Sequence, residues 1–306
     1  MNDASPGGER IQLRLGIFGY GEVGHGLALG LRAAGLEAVS AFQRDAHRPV
    51  IQERARLSGV RLVATPLELA ASSNLIIAVT QGSDSLQAAH SIAPGMCPSH
   101  CYVDLASASP SIKQGVADAL APSGALVADG AIEGSPFEHG HQLPIIVSGP
   151  GAARFAAALA PWGLRIAVVG SELGKASAIK GLRHILMKGQ IALLIECAVA
   201  ARRYGISDEL FASVAEWYDA LPFMDNATRL LRTTAVHARR RAEEAQMAVE
   251  ILKGLGIEPI MTTATVRLLT RIADLGLRDT LNTQVPKSHV EALELMGRYA
   301  DAKADS

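Results

Sequence analysis

Residues 13–31 read LRLGIFGYGEVGHGLALGL, an apolar run followed by a glycine-rich turn and a segment with helical spacing of its apolar residues. Gly19, Gly21 and Gly24 match the pattern G-x-G-x-x-G. The first glycine permits a tight turn, the second lets the backbone approach a pyrophosphate, and the third brings helix and strand together. Free amide hydrogens at the start of the helix then bind the phosphate charge. The stretch therefore predicts dinucleotide binding rather than a turn that needs glycine for its geometry alone.

The end of the second expected strand, residues 38–42, indicates which dinucleotide binds. An acidic side chain there accepts hydrogen bonds from the adenosine ribose of NAD, whereas an arginine accommodates the additional phosphate of NADP. Gln43 and Arg44 lie at this strand end, and Asp45 follows one position later. Because a guanidinium binds phosphate through two parallel hydrogen bonds, Arg44 favours NADP, while Asp45 leaves NAD open.

The pattern around this turn predicts an α/β protein with an N-terminal Rossmann-type parallel sheet domain and an all-helical C-terminal domain. Apolar runs typical of buried strands alternate with helical stretches in the first half of the chain. These runs are residues 13–18, 38–42, 61–63, 75–79, 102–105, 125–128 and 145–148. Beyond residue 170, helical periodicity continues to the end. We therefore expect a dinucleotide-binding domain at residues 1–170 and a substrate and dimerisation domain at residues 171–306.

Residues 175–204 are expected to form one long helix that ends before Gly205, since glycine commonly follows the last turn of a helix. Alanine, leucine and isoleucine occupy most of its faces, which predicts a helix buried nearly all round. A helical domain with so much apolar surface is expected to share it with a second copy of the chain. A homodimer is therefore predicted.

Composition excludes several other classes of protein. The 306 residues are 49% hydrophobic and 19% charged, a balance that does not fit a disordered chain. A formal net charge of −1 gives no bulk attraction to nucleic acid, so no nucleic-acid partner is expected. Three cysteines are too few for a disulfide framework, which fits a reducing cytoplasm. Neither a signal peptide nor an apolar run of about 18 residues is visible, so no membrane partner is expected.

The segment 174–189, GKASAIKGLRHILMKG, contains the best candidate for proton transfer. Lys180, His184 and Lys188 are four residues apart and form one stripe on a helix, with about 6 Å between successive members. Such a stripe on an apolar helix is costly unless it faces a cavity. The positive charges of Lys175, Arg183 and Lys188, together with partial desolvation, are expected to lower the pKa of Lys180 toward neutrality. The alternative is a set of lysines that reach solvent from the end of the helix.

Four stretches, in this order, resemble the β-hydroxyacid dehydrogenase family, which includes 3-hydroxyisobutyrate and 6-phosphogluconate dehydrogenases. They are the glycine turn, residues 104–110 (DLASASP, similar to D-x-S-T-x-x-P), residues 129–135 (DGAIEGS, similar to D-A-P-V-S-G-G) and residues 174–180 (similar to G-x-x-x-x-x-K). The segment that includes HARRRAEEAQMAVEILKGLGIEPIMT, residues 237–262, resembles a branch whose C-terminal domain has no known function.

The resemblance implies hydride transfer between a nicotinamide cofactor and a small β-hydroxyacid or the matching semialdehyde or keto acid, with Lys180 as catalytic acid/base. The implied cofactor-lining residues beside the glycines are Tyr20, Glu22, Val23, Val79 and Thr80. The implied substrate-binding residues are Ser107, Gly134, Ser135 and His184. Glu133 and His184 replace the family's serine and asparagine, and Glu133 would repel a substrate carboxylate if it pointed into the pocket.

Two other functions stay open. An imine reductase would share the fold and cofactor but generally lacks the lysine, so Lys180 argues against it. A non-catalytic dinucleotide sensor needs the glycine turn but not the polar stripe. Further candidates for the site are His139, His141 and His237, the last with Arg240, Arg241 and Glu244 nearby. No metal is expected, because Cys97, His100 and Cys101 lack a fourth zinc ligand and Glu138, His139 and His141 equally suit a specificity loop.

Overall fold

The computed structural model describes residues 12–134 and 140–301. Ser135, Glu138 and His139, three of the candidate site residues, lie outside these described ranges.

The N-terminal half contains a mostly parallel sheet whose strands follow the order β3-β2-β1-β4-β5-β6-β7-β8. Its strands are β1 (Leu15–Phe18), β2 (Val39–Phe42), β3 (Arg61–Val63), β4 (Leu75–Ala78), β5 (Cys101–Asp104), β6 (Leu126–Ile132), β7 (Pro144–Ser148) and β8 (Arg165–Gly170). Only β6 and β7 pair in the antiparallel sense among these described strands. The predicted fold class is confirmed, with this one reversal that the apolar pattern did not reveal.

Helices pack on both faces of the sheet. Those of this half are α1 (Glu22–Ala33), α2 (Pro49–Ser58), α3 (Pro66–Ser72), α4 (Ser85–Ile92), α5 (Pro110–Leu120) and α6 (Ala152–Leu159). Leu15 and Ile17 belong to a core shared with α1, α2 and α6, whereas Phe18 belongs to a second core shared with α3, α4 and α5. Successive strand residues thus face opposite layers, as in a sheet covered on both sides.

The strand order reverses between β1 and β4. From β1 the chain continues to β2 and β3 on one side of the sheet, and from β4 it continues to β5 and the remaining strands on the other. Ligands of such sheets bind beyond the carboxyl ends of the strands at this reversal. The glycine turn follows β1, Thr80 follows β4, and Ser107 follows β5. Two of the sequence motifs and Thr80 therefore lie at the same edge of the sheet.

The rest of the chain is helical. Its helices are α7 (Lys175–Tyr204), α8 (Ser207–Asp219), α9 (Phe223–Gly254), α10 (Ile260–Ala273), α11 (Leu277–Thr280) and α12 (His289–Met296). The chain forms two compact units, Met1–Ile185 and Leu186–Ser306, and the division falls inside α7. The second unit has a small core that includes Ala235, Ile272 and Met296.

Helix α7 has the predicted bounds, but the expectation that it is buried nearly all round is wrong for the single chain. Leu182 is 66% exposed, Ile185 71% and Ile195 59%. Apolar periodicity reports which side chains avoid water, and it does not report which chain covers them. By length and composition alone, α7 is also the one described helix that is long and apolar enough to cross a membrane.

Candidate active site

The three glycines of the turn differ in what surrounds them. Gly19 has a φ of +97°, and a Cβ there would lie 2.9 Å from the carbonyl oxygen of Val79. A Cβ on Gly24 would lie 2.3 Å from the carbonyl oxygen of Gly19, whereas a Cβ on Gly21 would meet nothing within 4 Å. The first and third glycines are therefore required by the fold itself. The second faces open space, which a phosphate can approach closely.

A cavity of about 490 Å³ adjoins this turn and is lined by the ends of β1, β2 and β4 and by residues of α4. Thr80 lines it, and the hydroxyl oxygen of this residue is buried and has no hydrogen-bond partner among the described residues. A buried hydroxyl without a partner is costly, and a ligand that fills the cavity can supply one. The open approach at Gly21, the helix N-terminus and this hydroxyl fit a dinucleotide.

The implied cofactor-lining residues occupy different environments. The ring of Tyr20 is fully buried in the core, its hydroxyl lies 2.5 Å from that of Ser58, and burial raises the pKa of its phenol. Only the backbone of Tyr20 therefore belongs to the turn, where its N–H donates to the Gln43 side-chain oxygen at 2.6 Å. Glu22 is exposed in the first turn of α1, and Val23 packs against the core. Val79 lines the cavity beside Thr80.

Arg44, just after β2, lines the cavity and already has an ionic partner. Its guanidinium donates to the carboxylate of Asp84 at 3.1 Å, and the two side chains are 75% and 36% exposed. The Asp45 carboxylate accepts from Gln43 and Arg48 instead, and these bonds lower the pKa of Asp45 to about 2. Asp84 lies forty positions along the chain from Arg44, so local sequence patterns gave no sign of this pair.

The structure brings Lys180 to Ser107. Its ammonium donates to the Ser107 hydroxyl oxygen at 2.9 Å, between the start of α7 and the loop that follows β5. Burial lowers the pKa of Lys180 below its usual range, the charges of Lys113 and Arg183 lower it further, and Glu133 opposes them. The direction agrees with the sequence expectation. Of the three positive neighbours that the sequence suggested, Arg183 contributes to the shift. Lys113, which the sequence did not suggest, contributes more.

Lys113, which the motifs did not single out, belongs to a buried ionic cluster with Asp104 and Asp129. Its ammonium lies 3.3 Å from the Asp104 carboxylate and 3.5 Å from that of Asp129, and all three side chains are at most 1% exposed. Asp104 and Asp129 are neighbours in the register of β5 and β6. Each is the first residue of a motif, which is the one available sequence signal for the cluster.

Glu133 is paired rather than isolated. Its carboxylate accepts a hydrogen bond from Arg183 at 3.2 Å, and Arg183 is one turn of α7 beyond Lys180. The positive charge of Arg183 therefore partly offsets the negative charge of Glu133. Gly134, half-buried, follows directly after Glu133, and His184 is exposed on α7.

The remaining candidates lie in other settings. His141 packs against α1, where a Cβ on Gly30 would lie 2.3 Å from its side chain. His237 has non-helical angles, φ −113° and ψ 15°, inside α9. Arg241 donates back to the Leu230 carbonyl and to Thr233, and so satisfies polar groups near this kink.

Arg240 pairs with Glu244 on the exposed face of α9, at 3.5 Å. The thiol of Cys97 lies 3.1 Å from a ring nitrogen of His100, whereas that of Cys101 is buried against the Gly151 carbonyl. Across residues 12–134 and 140–301, no three histidine, cysteine, aspartate or glutamate side chains are grouped to hold a metal ion.

Two family models match the chain. Residues 14–170 match the NAD binding domain of 6-phosphogluconate dehydrogenase, and residues 201–272 match a domain of unknown function, DUF1932. Among solved structures, the conserved protein MTH1747 of unknown function is 33% identical, with 87% of this chain and 99% of that one covered and a TM-score of 0.60. That protein is described as structurally similar to 3-hydroxyacid dehydrogenases.

Two imine reductases share the fold at lower identity. The enzyme from Myxococcus stipitatus, a variant in complex with NAD⁺, is 18% identical over 95% of this chain and 100% of its own, with a TM-score of 0.74. The enzyme from Aspergillus terreus, in complex with NADPH4 and dibenz[c,e]azepine, is 21% identical over 87% of this chain and 95% of its own, with a TM-score of 0.72. Nucleotides of both kinds thus occur among proteins of this fold.

Proposed function

This chain belongs to the family defined by the NAD binding domain of 6-phosphogluconate dehydrogenase, with a DUF1932 C-terminal domain, and on that premise we propose that it is an NADP-preferring dehydrogenase or reductase. Its substrate would be a small β-hydroxyacid or the matching semialdehyde or keto acid. Residues 1–170 would be the dinucleotide-binding domain, and residues 171–306 the substrate and dimerisation domain.

The observation that carries the proposal is the hydrogen bond from Lys180 to Ser107 at the edge of the sheet that also holds the glycine turn. When bound, the nicotinamide supplies or accepts the hydride. Lys180 would donate a proton from Nζ to the substrate oxygen during reduction, and its neutral amine would take a proton from the hydroxyl during oxidation. Ser107 would orient that amine and contact the substrate. A lowered pKa suits Lys180 to both directions of transfer.

The dinucleotide would be held by residues already described. The backbone at Gly21 and the N-terminus of α1 would bind the pyrophosphate, and Thr80 would offer its hydroxyl. Arg44 would bind the additional phosphate of NADP, which supports the preference for that cofactor. The phosphate would have to displace the Asp84 carboxylate from the Arg44 guanidinium. The preference for NADP over NAD therefore depends on the competition between these two anions for one side chain.

The test is NADPH oxidation over a panel of semialdehydes, keto acids and cyclic imines by wild type, Lys180→Ala and Lys188→Ala. Lys188 is an exposed lysine two turns further along the same helix and serves as the matched control. We expect carbonyl reduction to fall about 100-fold or more in Lys180→Ala, as for loss of a general acid, and to persist in Lys188→Ala. Carbonyl reduction that persists at the wild-type rate in Lys180→Ala contradicts the proposed role.

Imine reduction is the second candidate, favoured by the TM-scores of the two imine reductases. Lys180 argues against it, because that class generally lacks a lysine at this position. Imine turnover that survives Lys180→Ala supports the imine reductase. Dinucleotide binding by the wild type without turnover of any member of the panel supports a sensor instead.

We also propose a homodimer, which the exposed apolar residues of α7 support, and a cytoplasmic location, which the small number of cysteines favours. Leu186, Leu194 and Ile195 are all more than 50% exposed in the single chain, and a second copy would cover them. A membrane is the alternative cover for a helix of this length. Fractionation of expressing cells distinguishes the two: a chain recovered in the membrane pellet, and released only by detergent, contradicts the proposal.

A further inference from the structure

We propose that Lys113, Asp104 and Asp129 form a positioning unit that holds the hydroxyl of Ser107 and the amine of Lys180 at hydrogen-bonding distance. The inference rests on the proposed function of Lys180, and it assigns a role to three buried charged residues that this function does not itself use. None of the three is placed to touch a substrate, since their side chains are at most 1% exposed.

Lys113 holds the loop that carries Ser107. Its ammonium donates to the carbonyl oxygens of Asp104 and Ala106, at 2.7 and 2.8 Å. The Asp104 carboxylate accepts from the Ala106 N–H at 2.9 Å, so Ala106 is held through both its carbonyl and its amide. Ala106 immediately precedes Ser107. The cluster therefore fixes the backbone next to Ser107 and, with it, the orientation of the Ser107 side chain.

Asp129 holds the helix that carries Lys180. One oxygen of its carboxylate accepts from both the backbone N–H and the hydroxyl of Ser177, each at 2.8 Å. Ser177 lies in the first turn of α7, and Lys180 follows three residues later, on the same side of the helix one turn further along. By holding the first turn of α7, the Asp129 carboxylate therefore fixes both the rotation of the helix about its axis and its position along that axis at Lys180.

The two anchors are joined through Lys113. An ammonium has three hydrogens, and Lys113 directs two of them to backbone carbonyls. The remaining hydrogen faces the second oxygens of Asp104 and Asp129, which accept no well-aligned hydrogen bond from the described residues. A displacement of either carboxylate must then move the ammonium, and the ammonium also holds the Ser107 loop.

Stability alone is a poor explanation for the cluster. Buried ion pairs often contribute less than well-packed apolar side chains of the same volume, because desolvation of the charges offsets their attraction. A cluster at this place, with one contact to the Ser107 loop and one to the Lys180 helix, is explained by the geometry that it enforces. The charged groups that act on Lys180 are Lys113 from α5, Glu133 from the end of β6 and Arg183 from α7.

The first test is Asp129→Asn. Asparagine has nearly the shape of aspartate, and its side-chain oxygen can still accept hydrogen bonds from Ser177, but the negative charge is removed. We expect kcat to fall about 10- to 100-fold, as when a catalytic group is displaced by a fraction of an ångström to an ångström, with the Kd for NADPH unchanged. Competitive acetylation of Lys180 over a pH series, read by peptide mass spectrometry, reports the pKa of its amine. Its midpoint should fall, because Asp129 no longer offsets the positive charge of Lys113, which lowers the pKa of Lys180.

The second variant, Ser177→Ala, protects the test against misfolding, since it leaves no buried charge unpaired. It removes one of the two hydrogen bonds that anchor α7 to Asp129, and kcat should fall several-fold while the Kd for NADPH stays constant. Ser72→Ala, which removes a hydroxyl bonded only to the Leu69 carbonyl within α3 and away from the cavity, is the matched control and should retain the wild-type kcat.

The outcomes separate the inference from the proposed function. A wild type that turns over none of the panel contradicts the proposed function, and the acetylation profile still decides the inference, because it needs no substrate. An acetylation profile of Lys180 that is identical in wild type, Asp129→Asn and Ser177→Ala overturns the positioning role. A kcat that stays at the wild-type value in both variants does the same.

Discussion

The reactivity of Lys180 is set by residues distant in sequence. Burial lowers the pKa of its amine first, and the charge of Lys113 contributes next. Glu133 opposes both, and is itself held by Arg183. The pKa of this lysine thus depends on charges from helix α5, from the end of β6 and from the next turn of α7.

This environment predicts the pH dependence of both reaction directions. Reduction needs the protonated amine, so kcat/KM for reduction should fall as pH rises through the pKa of Lys180. Oxidation needs the neutral amine and should rise through the same pKa, which lies below the value of about 10.4 for an unperturbed lysine. Glu133→Gln removes the charge that raises the pKa, so both profiles should move to lower pH. A shift to higher pH contradicts the assignment of Lys180.

Arg44 and Asp84 predict a change in cofactor preference. Asp84→Asn removes the carboxylate that competes for the guanidinium, so NADPH should bind several-fold more tightly while NADH is little affected. Arg44→Ala should weaken NADPH about tenfold, a moderate figure because the guanidinium is largely exposed and screened by solvent. Fluorescence titration with both nucleotides measures the effect. Equal changes for NADPH and NADH would show that Arg44 does not contact the additional phosphate.

At the scale of elements, two glycines constrain the strand, turn and helix of residues 15–33. Gly19 adopts a positive φ against Val79, and Gly24 allows α1 to approach the turn. Ser109 and Pro110 likewise start α5, because the Ser109 hydroxyl accepts from the Ile112 N–H. These local rules explain where the two helices begin.

Substitutions at two glycines of the turn should separate the loss of folding stability from the loss of dinucleotide binding. Gly19→Ala places a Cβ against the Val79 carbonyl at positive φ, so it should destabilise the protein by about 1–3 kcal/mol and weaken dinucleotide binding as well. Gly21→Ala meets open space, so its melting temperature should stay near that of the wild type while dinucleotide binding is lost. Thermal melts with and without NADPH distinguish the two. Normal NADPH binding by Gly21→Ala contradicts a phosphate at this turn.

At the scale of the whole molecule, two assignments depend on long-range arrangement. The strand order brings the glycine turn, Thr80 and Ser107 to one edge of the sheet. Many apolar side chains of α7 are exposed in the single chain, which is the basis of the proposed dimer.

The proposed homodimer predicts the effect of a charge on α7. Ile195→Glu should shift the chain from dimer to monomer in sedimentation velocity experiments, because a buried carboxylate at an apolar interface is strongly unfavourable. Leu57→Glu is the matched control, since Leu57 is an apolar residue on α2 with a similar exposure of 57%. It should leave the dimer unchanged. A wild type that sediments as a monomer contradicts the proposal outright.

Several properties followed from the sequence by itself, because each depends on residues close together in the chain. The glycine turn, the alternation of strands and helices, the bounds of α7 and the family resemblance are of this kind, and the family models confirm the resemblance. Backbone freedom at glycine, capping and apolar periodicity act over a few residues.

Only the tertiary structure decided the partners of the charged groups. The pairing of Arg44 with Asp84, the reversal of β7 and the cluster of Lys113 with Asp104 and Asp129 join residues from different elements. Electrostatic and hydrogen-bond energies depend on distances and burial that no local pattern contains. The same reason explains α7, whose composition indicates that it avoids water while its exposure depends on what packs against it.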